Sequence, residues 1–290
     1  MNILVVGGTR FFGIPMVRKL IADGHDVTLA TRGRTPDSFG NTVKRICLDR
    51  SDEASIAEAL YGRSFDAVID KIAYSSNDVK RLLDHVDCGK YILMSTSSVY
   101  GNIGRGTPES SFEPEKYPLR WCERADFDYG EAKRQAECAL VQRYPKQEYT
   151  AVRYPVVIGR NDYTGRLKFY AERIIAGEPM FIDDAESQMS FIDETKAGEF
   201  LAYAVENDIF GSVNGCCRGS ISVGEIIGYI EQKTGKKAVL SENGEAAPYN
   251  GYPTYAALDT SKAEASGFVF GDVENAVFET IDGYLGEYSL

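Results

Sequence analysis

The first residues of the chain carry the pattern that most constrains its fold. An unbroken apolar run, Ile3–Val6, ends at the pair Gly7-Gly8. From Phe12 to Ile21 the apolar residues recur with helical spacing, and Gly24 follows. A short apolar run bounded by glycine is typical of a strand buried on both faces, and the spacing after it indicates an amphipathic helix. The pattern therefore predicts a buried strand, a glycine turn and a helix, the unit that opens a parallel sheet.

The turn between this strand and this helix reads Gly7-Gly8-Thr9-Arg10-Phe11-Phe12-Gly13. Gly7 and Gly13 hold the outer positions of a GxxGxxG pattern, and Arg10 holds the middle position. Glycine permits positive φ and close approach of a ligand, and the amides and dipole of the following helix attract an anion. We therefore predict that the whole turn holds the pyrophosphate of a dinucleotide. The alternative is an ordinary turn between a strand and a helix.

Strands and helices alternate over the first half of the chain. Further strands are predicted at Val27–Ala30, Arg45–Leu48, Ala67–Ile69, Tyr91–Met94 and Thr150–Arg153, and further helices at Ala54–Leu60, Asp78–Val86 and 129–144. This alternation indicates an α/β fold with a doubly wound parallel sheet, in which ligands bind at the carboxyl ends of the strands. We expect residues 1–155 to form a dinucleotide-binding domain and residues 156–290 a smaller substrate lobe, with residues 190–215 returning to the main sheet.

Composition narrows the classes of function. The net charge of −11 disfavours broad nucleic-acid binding, because a net anion repels phosphate backbones. The six cysteines form no CxxC pair and there are only two histidines, so a typical zinc site is excluded and no metal is predicted. The sequence starts at Met1 with no basic leader and contains no long apolar stretch, so we expect a cytoplasmic protein without a membrane span.

The end of the second strand indicates which dinucleotide is bound. The segment Ala30-Thr31-Arg32-Gly33-Arg34 lacks the carboxylate typical of NAD sites and carries two arginines, which can pair with a 2′-phosphate. We therefore predict NADP in preference to NAD, contacted by Thr31 and both arginines; the alternative is that the arginines are solvated loop charges. After the third strand, Asp49 is placed to accept from the adenine amino group, with Arg50 beside it, or it serves as a helix cap.

A catalytic pair is predicted at Tyr129-Gly130-Glu131-Ala132-Lys133. The YxxxK spacing puts both side chains on one helix face, where an ammonium lowers the tyrosine pKa and the phenol can act as acid or base. The spacing recurs at Tyr229-Ile230-Glu231-Gln232-Lys233, which we interpret as structural because it does not follow the fifth strand. A hydroxyl from Ser95-Thr96-Ser97-Ser98 is predicted to bind the substrate oxygen; the alternative is a plain turn.

These motifs together resemble the extended short-chain dehydrogenase/reductase superfamily, the NAD(P)-dependent sugar epimerase/dehydratase group with a Rossmann fold. The resemblance covers about residues 1–215 and rests on Gly7–Gly13, the serine-rich strand end before Val99-Tyr100-Gly101, the Tyr129–Lys133 pair and Arg153-Tyr154-Pro155. It implies that Thr96 is the third catalytic residue, because the family's hydroxyl residue stands four places before the tyrosine of the VYG segment. Ser97-Ser98 stand where sugar 4,6-dehydratases have Asp-Glu, so dehydration is not expected.

Arg10 and the segment Leu48-Asp49-Arg50-Ser51-Asp52 resemble an atypical branch of the superfamily. That branch includes chloroplast stem-loop RNA-binding proteins and many bacterial members of unknown substrate. It implies an alternative function, a non-catalytic nucleotide-sensing or RNA-binding protein on the same fold. The intact set of Thr96, Tyr129 and Lys133 and the acidic balance of charge favour preserved redox chemistry.

The resemblance implies an NAD(P)-dependent reductase or sugar epimerase that transfers a hydride on a nucleotide sugar or a similar carbonyl or hydroxyl substrate. Tyr129 would exchange the substrate proton, Lys133 would lower the tyrosine pKa and hold the nicotinamide ribose, and Thr96 would orient the oxygen. The cofactor would also be flanked by Ile72, Ala73, Tyr154, Pro155 and Val156.

On the substrate side, the implied residues are Tyr74, Arg160, Asp162, Tyr163 and Arg166. Arg160 and Arg166 would bind a substrate phosphate, or they are solvated surface charges. Many members of the superfamily dimerise through a four-helix interface. The helix that starts near Asp78 and the helix at 129–144 are the candidates for such an interface here.

Overall fold

The computed structural model describes residues 1–288 of the chain. Its strands are β1 Asn2–Val6, β2 Asp26–Thr31, β3 Lys44–Cys47, β4 Ser64–Asp70, β5 Asp87–Thr96, β6 Glu148–Tyr154, β7 Val156–Ile158, β8 Pro179–Phe181, β9 Gln188–Met189, β10 Phe191–Asp193, β11 Gly211–Asn214, β12 Ile221–Ser222, β13 Val239–Leu240, β14 Glu245–Ala246 and β15 Tyr255–Ala256. Its helices are α1 Gly13–Ala22, α2 Glu53–Leu60, α3 Ser76–Leu83, α4 Tyr129–Arg143, α5 Arg166–Ala176, α6 Glu194–Glu206, α7 Val223–Thr234, α8 Ser261–Ala265 and α9 Val273–Leu285.

A parallel sheet forms the centre of the described residues. Its strand order is β11-β6-β5-β4-β1-β2-β3, and each neighbouring pair runs parallel. The order reverses between β1 and β4, so the crevice at the carboxyl ends of these strands is the expected ligand site. The predicted doubly wound α/β fold is confirmed, and the predicted strands and helices of the first half agree with the structure to within a few residues at each end.

Strand β1 shows why its sequence is apolar without alternation. Ile3 and Val5 face one apolar cluster, together with α1 and α6, whereas Leu4 and Val6 face a second cluster with α2, α3 and α4. Because side chains alternate between the two faces of a strand, a central strand covered by helices on both sides needs apolar residues at every position.

After β6 the chain leaves the main sheet and builds small sheets of two or three strands. Strand β7 pairs with β10, β8 lies between β13 and β14, and β9 lies between β12 and β15. Helices α5, α7 and α9 pack on one another through Leu167, Ile226 and Ile281, in the same apolar cluster that lies under α1. Strand β11 then returns to the edge of the main sheet beside β6.

A buried ion pair fixes helix α4 to the sheet. Arg153 of β6 and Glu137 of α4 are almost fully buried and meet at 2.6 Å between Nη2 and Oε2. The Ser95 hydroxyl donates to the other oxygen of the same carboxylate at 2.5 Å. Because a buried charge needs its partner in place, this network holds the position of α4 against the ends of β5 and β6.

Two further properties concern the described residues as a whole. No helix in the range 1–288 is both long enough and apolar enough to cross a membrane. That range also contains no group of three or more His, Cys, Asp or Glu side chains arranged to hold a metal ion.

Candidate active site

The glycine turn joins β1 to α1 in a tight arc. A Cβ on Gly13 would lie 2.8 Å from the Gly8 Cα, so only glycine permits this approach of the helix start to the end of the strand. Phe11 takes a positive φ of 53°, in the left-handed region that side chains other than glycine rarely adopt. Arg10 is exposed and Thr9 half-buried. A backbone held this closely at the start of a helix fits a pyrophosphate.

The two arginines after β2 lie close to Asp49. Arg32 and Arg34 are exposed, and their charges help to lower the pKa of the Asp49 carboxyl, after the larger effect of hydrogen bonds from Ser51. The α2 cap is Asp52, whose side chain accepts from the first amides of that helix, so Asp49 is not the helix cap. The segment after β2 and the segment after β3 therefore form one polar edge of the site, with Thr31 half-buried at its base.

Arg50 is bound by other residues of the protein in this structure. Its guanidinium forms a bidentate ion pair with the buried carboxylate of Asp70, at 2.6 Å for the Nη2–Oδ2 contact, and donates to the Asp78 carbonyl. Tyr91 donates to the same Asp70 carboxylate at 2.7 Å. The structure thus places Arg50 in an internal network with β4 and α3, and its contact with the cofactor stays a prediction.

Ile72 and Ala73 follow β4 at the same sheet edge. The Ile72 amide donates to Asp70, and Ala73 is fully buried. A Cβ on Gly7 would approach the Ile72 side chain to 3.2 Å, so the segment after β4 packs against the first glycine of the turn. The structure therefore brings these two predicted cofactor neighbours to the glycine turn.

Thr96 and Tyr129 meet at the start of α4. A Cβ on Gly130 would lie 2.6 Å from the Ser98 carbonyl oxygen, so glycine at this position lets α4 approach the turn that follows β5. Thr96 lies beside the Tyr129 phenol and acts to lower its pKa, against the larger effect of burial. The Tyr74 ring lies beside them, its centre 6.5 Å from the Tyr129 ring centre.

Lys133 differs from the prediction in its effect on Tyr129. Its side chain is fully buried, and its Nζ donates to the carbonyls of Ala73 and Met94, both at 2.7 Å. Burial lowers the pKa of Lys133 to about 7 and raises the pKa of Tyr129 above its usual value. The lowering influences on Tyr129 come from Thr96, Arg124 and Arg166. The lowering of the tyrosine pKa expected from Lys133 is therefore not found in this structure: the Lys133 Nζ is held by main-chain carbonyls, and burial raises the pKa of Tyr129.

A cavity of about 590 Å³ lies over these residues, within the size range of small-molecule sites. The predicted site residues that line it are Phe11, Phe12, Tyr74, Thr96, Tyr129, Tyr154, Pro155, Val156, Tyr163 and Arg166. Arg160 lies outside this lining, 3.8 Å from Glu287 and with 63% of its side chain exposed, so it is a surface charge. Asp162 is buried and accepts from Thr164, which holds the loop that carries Tyr163.

The cavity also contains residues that the sequence analysis missed. Lys71, directly after β4, lines the cavity, and so do Met189, Ser190 and the segment 251–253. A signal for Lys71 was available, because it follows a predicted strand at the carboxyl edge of the sheet. No such signal existed for the segment 251–253, which belongs to no long helix or strand.

Parts of the chain are similar in sequence to a known family and to known proteins. Residues 3–85 match the sequence model of the NAD dependent epimerase/dehydratase family. The chain is 24% identical over 211 residues to the chloroplast stem-loop binding protein of 41 kDa b from Arabidopsis thaliana, a match that covers 67% of this chain and 52% of that protein. It is 31% identical over 78 residues to 2′-dehydrokanamycin reductase from Streptomyces kanamyceticus, covering 27% of this chain and 22% of that protein. The chain thus spans about half the length of the first relative and about a fifth of the second.

Solved structures match almost the whole chain. UDP-glucose 4-epimerase from Thermus thermophilus, solved with NAD, has a TM-score of 0.74 at 20% identity and covers 99% of this chain and 100% of that chain. UDP-glucose 4-epimerase from Thermotoga maritima, solved with UDP-glucose, has a TM-score of 0.77 at 22% identity, with 99% of each chain covered. UDP-glucuronic acid 4-epimerase from Bacillus cereus, solved with NAD, has a TM-score of 0.74 at 18% identity and covers 99% of this chain and 98% of that chain.

At these identities the structural matches establish the fold, and the family match rests on the N-terminal segment. The predicted resemblance is confirmed on both grounds: residues 3–85 match the sequence model of the NAD dependent epimerase/dehydratase family, and nearly the whole chain shares the fold of solved epimerases.

Proposed function

We propose that this protein is an NAD(P)-dependent oxidoreductase or epimerase that acts by hydride transfer on a nucleotide sugar or a similar carbonyl or hydroxyl compound. The observation that carries the proposal is that Thr96 and Tyr129 lie together in the lining of a cavity that Phe11 and Phe12 of the glycine turn also line. The printed activities of the solved relatives, UDP-glucose and UDP-glucuronic acid 4-epimerases, support the substrate class.

The residues present fit a dinucleotide. The close approach of Gly13 to Gly8 makes a cradle that any larger side chain would fill, and the helix begins directly behind it. In the proposal, Gly7–Gly13 hold the pyrophosphate, while Tyr154, Pro155 and Val156 flank the nicotinamide. The bound cofactor would supply the hydride donor or acceptor.

In the proposal, Tyr129 and Thr96 act on the substrate proton. Tyr129 takes the proton of a substrate hydroxyl, or returns it to a carbonyl oxygen, and Thr96 orients that oxygen through its own hydroxyl. Lys133 fixes the floor beneath Tyr74 and Tyr129 by bridging the carbonyls of Ala73 and Met94. Tyr163 and Arg166, on the loop before α5 and at its start, contact the substrate.

The finer cofactor assignment is NADP in preference to NAD. Arg32 and Arg34 lie at the end of β2 and act electrostatically on Asp49, so they concentrate positive charge at this edge. The proposal rests on the two arginines rather than on Asp49, because a 2′-phosphate adds negative charge that guanidinium groups bind well. An NADP preference favours a reductase, which exchanges its cofactor, over an epimerase, which retains it.

Titration calorimetry with NAD and NADP tests this assignment. We expect wild type to bind NADP more tightly, and the double variant Arg32→Ala/Arg34→Ala to lose about 10–100-fold in NADP affinity with little change for NAD. The double variant Arg63→Ala/Lys116→Ala, which also removes two positive charges and lies outside the cavity lining, is the matched control. Tighter binding of NAD than of NADP by wild type would overturn the cofactor assignment, and binding of neither would overturn the proposed function.

A second candidate, binding of stem-loop RNA, is favoured by the 24% identity to the Arabidopsis protein. The net charge of −11 opposes it. An RNA mobility-shift assay at several salt concentrations distinguishes the candidates: salt-sensitive RNA binding that persists in Tyr129→Phe would place RNA binding first.

We also propose a homodimer in which α3 and α4, which pack side by side on one face of the sheet, form a four-helix interface with a second copy. Sedimentation velocity tests it. A monomer at micromolar concentration would remove the proposal.

A further inference from the structure

Lys71 is a cation placed beside the glycine turn. It follows directly after β4, and its amide donates to the Val6 carbonyl at the end of β1, at 3.2 Å. A Cβ on Gly7 would lie 3.7 Å from the Lys71 Cβ. Its ammonium lies 3.9 Å from the centre of the Phe12 ring, and its side chain lines the cavity. Lys71 therefore lies beside Gly7 at one end of the turn and over Phe12 near the other.

The charge of Lys71 is uncompensated. Within residues 1–288 no carboxylate pairs with it, and burial alone, with no opposing charge, lowers the pKa of its ammonium to about 8. Other inward-facing cations have polar partners: Arg50 pairs with Asp70, Arg153 with Glu137, Lys90 donates to the carbonyls of Ala204 and Asn207, and Lys133 donates to those of Ala73 and Met94.

A half-buried ammonium without a counter-charge costs folding free energy, so its position calls for an anion from outside the chain. The Phe12 ring stabilises the ammonium only modestly, since a cation–π contact is weaker than an ion pair. The site open to it is the cavity, where Phe12 of the glycine turn lies beneath its ammonium. Lysine binds phosphate as a point charge and does not need a fixed fork geometry.

We propose that Lys71 is an anion-binding residue that takes an oxygen of a diphosphate bound against the Gly7–Gly13 turn. This inference rests on the proposed function, because it requires a diphosphate-containing ligand in the cavity. The turn supplies backbone amides and a helix dipole, which carry only partial charges, and Lys71 adds a full positive charge to them. The diphosphate belongs either to the dinucleotide or to a nucleotide sugar. In the first case the affinity for the dinucleotide depends on Lys71, and in the second case the affinity for the nucleotide sugar does.

The test is calorimetric titration of the full chain with NADP, NAD and UDP. The variants are Lys71→Met, which keeps the length of the side chain without its charge, and Lys71→Arg, which keeps the charge. Lys116→Met, at an exposed lysine that pairs with Glu113, is the control for a loss of one positive charge. We expect Lys71→Met to weaken NADP and NAD alike by about 10–100-fold, with Lys71→Arg restoring most of the affinity. A loss confined to UDP assigns the diphosphate to the substrate instead.

Thermal unfolding of the unliganded variants provides a second readout. Since Lys71→Met removes a charge that has no partner, its melting temperature should rise by a few degrees above that of wild type while its ligand affinity falls. Affinities for all three ligands within twofold of those of Lys116→Met would overturn the inference and leave the proposed function standing. Failure of wild type to bind any of the three would overturn both.

Discussion

The chain contains the YxxxK spacing twice, at Tyr129/Lys133 and at Tyr229/Lys233, and the two copies have opposite surroundings. Lys133 is fully buried, bonds two main-chain carbonyls and has its pKa lowered to about 7. Lys233 is on the surface, where it and the Tyr229 hydroxyl share one carboxylate oxygen of Asp282, at 3.0 and 2.9 Å. The Tyr229 ring stacks on Phe278 at 3.9 Å.

The comparison shows what helical spacing determines and what it does not. One helical turn brings a tyrosine and a lysine to the same face in both places. The first pair lies where a helix meets the ends of parallel strands, beside a cavity and a second hydroxyl, whereas the second pair has a surface acid as its partner. The interpretation of Tyr229/Lys233 as structural agrees with these contacts.

The largest expected difference between the two pairs is in catalysis. Tyr129→Phe removes the phenol that lies beside Thr96, so kcat/KM should fall by about 10²–10⁴-fold, the usual contribution of a general acid or base. Tyr229→Phe should stay within about twofold of wild type. The measurement is turnover with NAD or NADP of whichever member of a UDP-sugar panel wild type accepts. Equal losses of kcat/KM in the two variants would refute the distinction between a catalytic Tyr129/Lys133 pair and a structural Tyr229/Lys233 pair.

A smaller difference is expected in the pH dependence of stability. The folded-state pKa of Lys133, about 7, lies below the ordinary lysine value of 10.5, so the unfolded chain binds the additional proton between these values. The contribution of Lys133 to the free energy of unfolding therefore rises with pH, by about 2–3 kcal/mol between pH 7 and pH 9.

Urea unfolding of Lys133→Met and Lys233→Met at several pH values measures this contribution as a difference from wild type. We expect the rise to disappear in Lys133→Met and to persist in Lys233→Met. If both variants keep the slope of wild type, Lys133 is charged in the folded protein at neutral pH and the carbonyls of Ala73 and Met94 hold an ammonium.

The smallest effect on stability and turnover is expected from a change at Asp282, the acid that Tyr229 and Lys233 share. Asp282→Asn keeps a hydrogen-bond acceptor but removes the charge from an exposed site, where ion pairs contribute little. We expect the melting temperature to change by at most about 2 °C and turnover to stay constant. A clear loss of turnover would connect α7 and α9 to the active site and weaken the contrast between the pairs.

Local pattern predicted the first half of the molecule well. The run Ile3–Val6 and the glycine turn are governed by burial on two faces and by backbone geometry, which depend on residues close in sequence. Beyond β6 the strands are two to four residues long, too short for a periodicity to appear. Their pairing depends on contacts between distant segments, as in β9 with β12 and β15.

The site was predicted as a set of residue types rather than as a set of contacts. Thr96 and Tyr129 face each other as the motifs indicated, because the end of β5 and the start of α4 have defined directions. The orientation of Lys133 could not be predicted, since its partners are carbonyls from two other segments. The partners of Arg50 and Arg160 could not be predicted for the same reason, since Asp70 and Glu287 are distant in sequence.

The late return of β11 has a consequence for how the chain can acquire its structure. Strand β11 and the α6 helix before it cover β6 and α1, yet they follow the excursion through α5 and β7–β10. During synthesis from the N-terminus, β6 therefore remains an open edge until residues 211–214 have emerged. An open edge is a template for aggregation, so a fragment that stops after β6 should aggregate more readily than the full chain. Exchange of the C-terminal half between relatives would have to carry α6 and β11 across together.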